Sequence, residues 1–504
     1  MANIGAGIAA EGAAPGLGVV QTSAGAVSGA DAGHGVTVYK GLPYAAPATG
    51  ALRWRPPAPA TPWSGVRAMT DWPPDCPQGK GQTSDGYRST RQGEDCLAVN
   101  VWTPARAPGE TLPVMVWFYG GSFIFGSGSD ERSDGTGFAR KGVVLVTVNY
   151  RLGLFGFLAH PALTAESAEG FSGNYGVLDI IAALRWIRDN IAGFGGDPDR
   201  VTLFGVSAGA AQISLLLTAP GAAGLFQRAI MESPGAMRPL ATLAEAEEAG
   251  RVLGDDIAAL RRLPWQELLA KTNLLVPKMR ALTHPRVLRP IADGVVIPED
   301  DRTAFRAGHF HPVPSIVGTN ADEGTSMVAT WTVKTAADWH RLLADNFAGA
   351  EAAVAAAYPV AVDADVPGRV AEAFADSQFN YGAEGVARAL VARGAPVWRY
   401  RFIRRAPYLA DGPHHGGEVS YVFNNLPDGP DYDATDRALA ATMQDIWVRF
   451  ATAADPNGSG LPSWPRQDAG ADNRLLIFGD RIAATTEPPS ARLAVYDQVY
   501  DSRA

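Results

Sequence analysis

The sequence predicts an α/β fold in which a mostly parallel central sheet carries helices on both faces. Three observations lead there. Strand-like apolar runs alternate with segments of helical periodicity, the pattern of a parallel sheet wound with helices. Two stretches, Thr111–Ser129 and Val201–Gln227, carry no charge, as strands covered on both faces do. Gly (56) and Pro (37) are frequent among the 504 residues and spread along the chain, so many tight turns join the elements.

In chain order, PVMVWF (Pro113–Phe118) reads as a strand running into a Gly-rich loop, and VVLVTVNY (Val143–Tyr150) as a second strand. LDIIAALRWIRDNI (Leu178–Ile191) has helical periodicity, with Leu178, Ile181, Leu184 and Ile187 on one stripe. RVTLFG (Arg200–Gly205) is a third strand and AGAAQISLLLTA (Ala208–Ala219) a helix straight after it. RAIMES (Arg228–Ser233), PSIVGTN (Pro314–Asn320) and VWRYRF (Val397–Phe402) are further strands. The region from about Ala244 to His311 is largely helical and inserted between strands, a candidate lid or substrate-binding subdomain. Thr435–Phe450 reads as a late amphipathic helix.

Composition narrows the function. An apolar fraction of 46% with 19% charged residues fills a large core and excludes a disordered chain. The net charge of −9 argues against a nucleic-acid partner. The uncharged runs contain Gly, Ser and Thr, so no membrane span is expected. No Lys or Arg precedes Lys40, so no charged signal-peptide start is visible, and residues 1–18 read as a flexible leader.

The chemistry centres on Gly205-Val206-Ser207-Ala208-Gly209, a G-x-S-x-G placed between a strand and a helix. Glycines two positions either side of a serine permit a sharp turn that lifts its Oγ above the sheet, beside a helix N-terminus that favours negative charge. The loop Trp117–Phe123 holds Gly120, Gly121 and Ser122 directly after a strand. Its backbone N–H groups, with that of Ala208, would form an oxyanion hole. A serine nucleophile needs a base and an orienting acid. His414 and His415 lie in a Gly-rich loop after VWRYRF, and Asp322 and Glu323 follow PSIVGTN. Spacing leaves both choices open. His309 and His311 lack the companions of a metal site and read as surface loop residues.

These motifs resemble those of the type-B carboxylesterases, the cholinesterase-like branch of the α/β-hydrolases. Gly41–Pro57, Glu94–Trp102, Asn149–Leu158, Gly173–Pro198 and Asp455–Pro465 match further family segments, so the resemblance runs from about Val20 to the end. It implies one α/β-hydrolase catalytic unit over 19–504, with inserted helical lid or regulatory regions, in place of the ~3 domains that length suggests. It also implies Glu323 as the acid, His415 as the base, and Gly120, Gly121 and Ala208 as oxyanion donors. The expected activity is ester hydrolysis through an acyl-enzyme on a small-molecule ester, without cofactor or metal. The resemblance further pairs Cys76 with Cys96 in a disulfide, which favours a periplasmic or secreted location.

The departures bear on substrate. The family's usual Glu before the serine is Val206, its Gln after Asp179 is Ile180, and its third loop Gly is Ser122. Glu418, which in the family communicates with the pre-serine Glu, is kept without that partner. Loss of a carboxylate beside Ser207 favours neutral or anionic esters over cationic ones. Ser233–Leu243, Asp363–Pro367, Asp376–Asn380 and Pro396–Phe402 resemble the bacterial fumonisin esterase branch, whose substrates are tricarballylate esters. Arg238, in the first of these, is the candidate for an anion contact. The alternatives are a general carboxylesterase, carbamate hydrolase or lipase with a neutral substrate. A non-catalytic binding protein of this fold would have lost the triad candidates.

Overall fold

The computed structural model describes residues 16–79, 86–275, 282–407, 412–470 and 472–501. Most of the expected leader lies outside them. At its end Leu17 is buried, and its N–H donates to Thr37 Oγ1.

Fourteen strands are present among the described residues: β1 (Val20–Gln21), β2 (Ala26–Ser28), β3 (Ala30–Asp31), β4 (Thr37–Pro43), β5 (Val66–Ala68), β6 (Ala98–Thr103), β7 (Leu112–Phe118), β8 (Val144–Val148), β9 (Gly196–Val206), β10 (Arg228–Glu232), β11 (Ser315–Asn320), β12 (Val397–Phe402), β13 (Asn473–Phe478) and β14 (Ile482–Glu487). Eleven form one sheet in the order β14-β13-β12-β11-β10-β9-β7-β8-β6-β4-β3, and β1, β2 and β5 form a small second sheet. All pairings from β8 across to β13 are parallel. The flanking pairs, β3–β4, β4–β6, β6–β8 and β13–β14, are antiparallel.

The uncharged runs now have a physical cause. Successive β7 side chains point to opposite faces. Val114, Val116 and Phe118 join one apolar cluster with Val177, Ile181 and Leu184 of the Tyr175–Asn190 helix. Met115 and Trp117 join another with Met443, Trp447 and Phe450 of the Ala434–Ala453 helix. Both faces are buried, so neither tolerates charge.

Two helical excursions leave the sheet on either side of β11. The first, between β10 and β11, contains Leu243–Gly250, Ile257–Arg262, Trp265–Ala270 and Asp301–Ala307, with turns and irregular chain over 282–300. Residues 276–281 of this insertion lie outside the described residues. The second excursion is absent from the sequence reading. It runs between β11 and β12 through Ala336–Asn346, Glu351–Ala357, Val366–Ala375 and Tyr381–Ala392. Asp376–Asn380 interrupts it as a π-helical turn.

Cys76 and Cys96 are joined in a disulfide. Beside it, Arg53 forms a buried two-pronged ion pair with Glu94, at 2.7 and 2.6 Å, tying the 41–57 segment to the Glu94–Trp102 motif.

Candidate active site

Ser207 stands where β9 ends and the Ala208–Thr218 helix begins. Its φ of 57° and ψ of −119° place it in a region that non-glycine residues rarely adopt. The surroundings hold it there. Its N–H donates to Glu232 O at 2.8 Å, and its carbonyl accepts from Ala211 N–H at 2.8 Å. The two glycines of the motif are required by close approach. A Cβ on Gly209 would sit 2.0 Å from Phe118 O, and one on Gly205 2.5 Å from the same atom.

That crowding presses the end of β7 and its loop onto the serine turn. A Cβ on Gly120 would come within 3.0 Å of both Ser207 Cβ and Val206 O. Gly121, Ser122 and Phe123 all have positive φ, at 119°, 54° and 66°. Ser122 thus holds, at a steric cost, a conformation better suited to glycine. Gly120, Gly121, Ser122 and Ser207 are partly exposed, whereas Ala208 is buried.

From the opposite side, the loops after β11 and β12 bring Glu323 and His415 together. His415 Nδ1 lies 2.6 Å from Glu323 Oε2. The other carboxylate oxygen accepts from Ser233 Oγ at 2.5 Å and from Asn320 N–H at 2.6 Å. Glu323 is fully buried. The neighbours do other work. Asp322 accepts N–H groups of Gly324 and Thr325, and the His414 ring faces Gly412 O. Phe379 stacks on the His415 imidazole, with ring centroids 4.1 Å apart. His415 Nε2 is buried and has no hydrogen-bond partner among the described residues. Burial opposes a positive charge on this ring. The Glu323 carboxylate outweighs it through charge and hydrogen bond, with Glu418 adding, so the His415 pKa is raised above its ordinary 6.5.

Behind the serine lies a carboxylate the sequence reading missed. Glu232 on β10 is the register neighbour of Val206 on β9. It is buried and accepts from Trp447 Nε1 at 2.9 Å. Glu418 is also buried, held by Asn320 Nδ2. Burial and the charge of Glu418 push Glu232 well above the usual carboxylate range. Burial and the charge of Glu323 push Glu418 up to about 7. Glu418 therefore still has a carboxylate within electrostatic reach, Glu232, on the strand beside Val206. Asp179 is not left idle by the Ile180 that follows it. It grips Arg151 with both oxygens, at 2.7 and 2.6 Å, in a pair removed from solvent.

His309 is exposed and pairs with Glu299 at 2.7 Å, while His311 is exposed. Among the described residues no group of His, Cys, Asp or Glu is arranged to hold a metal ion, and no helix is long and apolar enough to cross a membrane. Arg238 lies away from solvent at a concavity it shares with Phe123, Ala211 and Gly235.

A mostly parallel sheet with a serine on a strained strand-to-helix turn defines an α/β-hydrolase. Within that class the chain belongs to the carboxylesterase family, which it matches over residues 17–486. It is 43% identical over 477 residues to fumonisin B1 esterase of Sphingopyxis macrogoltabida, covering 92% of this chain and 87% of that protein. It is 35% identical to para-nitrobenzyl esterase of Bacillus subtilis (strain 168), covering 94% and 97% of the two chains. A solved structure of PNB esterase superposes with a TM-score of 0.83 at 31% identity, covering 95% of this chain and 99% of that one. The protein is accordingly a carboxylesterase, an enzyme that hydrolyses carboxylic esters.

Proposed function

We propose that the enzyme works through an acyl-serine intermediate on Ser207, with His415 as general base and Glu323 as its orienting acid. Two arrangements, at the C-terminal ends of neighbouring parallel strands, carry this reading. Ser207 sits on a strained turn against Gly120, and a buried His415–Glu323 pair presents an unpartnered Nε2.

In the first half-reaction Ser207 Oγ attacks the ester carbonyl as His415 Nε2 takes its proton. Glu323 keeps the Nδ1 proton in place and stabilises the imidazolium. The N–H groups of Gly120, Gly121 and Ala208 receive the developing oxyanion. His415 then hands the proton to the departing alcohol, and the serine ester forms. In the second half, water adds to that ester with His415 again as base, releasing the acid and restoring Ser207.

The substrate class we infer is anionic esters, with the tricarballylate esters of fumonisin as the leading case. Two features support it: the similarity to fumonisin B1 esterase, and Val206 where a carboxylate would repel an anion. Residues 19–504 act as one catalytic unit in this proposal, with the 244–311 insertion facing substrate. The Cys76–Cys96 disulfide supports action in the periplasm or outside the cell.

Substituting Ser207→Ala tests the assignment. Turnover of a p-nitrophenyl ester and labelling by an organophosphate should both be abolished. Full retention of either overturns the role of Ser207.

A further inference from the structure

The first insertion and the segment after β10 line a concavity open to solvent. Two of its lining residues adjoin the candidate active site in the chain. Phe123, which follows Ser122, lines it, as does Ala211, whose N–H bonds the Ser207 carbonyl. Three arginines line its other side: Arg238, Arg286 and Arg289. Among the described residues none of the three forms a salt bridge. Arg238 and Arg286 donate instead to one neutral acceptor, Gln378 Oε1, at 2.5 and 2.8 Å. Arg238 also donates to Leu282 O at 2.9 Å, and Arg289 lies over the Phe123 ring at 5.4 Å. Arg238 Nε is buried with no hydrogen-bond partner among the described residues.

Among the described residues the one carboxylate in this lining, Asp301, is engaged elsewhere. It accepts from Ser214 Oγ at 3.0 Å and from Met237 N–H at 2.9 Å, fixing the chain that carries Arg238. Burial and the neighbouring guanidiniums pull Arg286 well below its ordinary pKa, and Arg289 to about 9. Like charges held together this way repel, and an anion among them removes the repulsion. Guanidinium forks match carboxylates in shape as well as charge. Gln378 also sits next to Phe379, the residue stacked on His415, so the π-helical turn anchors the arginines and the candidate base together.

We propose that Arg238, Arg286 and Arg289 form a carboxylate-binding site, which selects esters of polycarboxylic acids that keep one or more free carboxylates. Its use in turnover rests on Ser207 as nucleophile; its affinity for carboxylates does not.

The test uses the full chain and its Arg286→Gln, Arg286→Lys and Arg289→Gln variants. Calorimetric titration with tricarballylate reads the site directly. Values of kcat/KM for p-nitrophenyl hydrogen glutarate and for p-nitrophenyl butyrate read its role in catalysis. Tricarballylate should bind the native enzyme. Each Gln variant should weaken that binding and lower kcat/KM for the charged ester roughly ten- to hundredfold, through KM. The butyrate ester should be turned over as before, and Arg286→Lys should recover part of the loss. Equal losses on both esters overturn the proposal. So does tricarballylate binding that is absent or indifferent to the substitutions. If neither ester is hydrolysed and Ser207 takes no organophosphate, the nucleophile assignment fails, while the titration still decides the site.

Discussion

Glu323 commits both carboxylate oxygens, one to Ser233 and the Asn320 N–H, the other to His415. A buried carboxylate so engaged favours the imidazolium, so His415 is protonated up to a higher pH than a free histidine. A base must be neutral to act, and the acid limb of the kcat/KM–pH profile should therefore fall above the ordinary histidine value of 6.5. Glu323→Gln removes the charge that raises it. The limb should move to lower pH, and the plateau should drop by a factor on the order of 10⁴. A limb that does not move would mean that Glu323 does not control this histidine. The sequence offered Asp322–Glu323 and His414–His415 as adjacent pairs, and spacing could not choose within either. Only the backbone directions of two loops, 92 positions apart at the Glu323–His415 contact, decide which member of each pair faces the other. Glu232 escaped notice because nothing in RAIMES says which strand lies beside it. The β9–β10 register is what sets it next to Val206.

At the scale of elements, the Arg151–Asp179 pair fastens the loop after β8 to the Tyr175–Asn190 helix. Both side chains are nearly solvent-free, at 3% and 0% exposure, so removing one strands a charge in the interior. Asp179→Ala should lower the unfolding free energy by about 3–5 kcal/mol, measured by denaturant titration. A change near zero would show that the pair is structurally idle. The central strands were legible because burial on both faces leaves an apolar run with turn signals at its ends. The edges were not. β3 has two residues and β4 is bent by a register shift between Tyr39 and Leu42, so neither shows a sustained period. The helices from Ala336 to Ala392 were also missed. They carry many alanines, and the π-helical turn at Asp376–Asn380 breaks the 3.6-residue rhythm.

For the whole molecule, net charge and local charge point opposite ways. The chain carries −9 overall, yet three arginines share one concavity with Phe123 and Ala211. Composition cannot disclose such a site, because Arg238, Arg286 and Gln378 meet only through folding, across 92 to 140 positions. Two segments that the sequence offered as marks of kinship, Ser233–Leu243 and Asp376–Asn380, supply Arg238 and Gln378 to it. The first therefore lines the proposed carboxylate site, and the second holds two of its arginines. The disulfide and the Arg53–Glu94 pair brace the N-terminal segments near the antiparallel end of the same sheet. The central claim is that Ser207 becomes acylated. Rapid-mixing kinetics with a p-nitrophenyl ester, followed by acid quench and peptide mass spectrometry, tests it most directly. An acyl mass increment is expected on the peptide containing Ser207, formed during turnover and absent from the Ser207→Ala enzyme. Turnover with that peptide unmodified and the increment on another residue would contradict it.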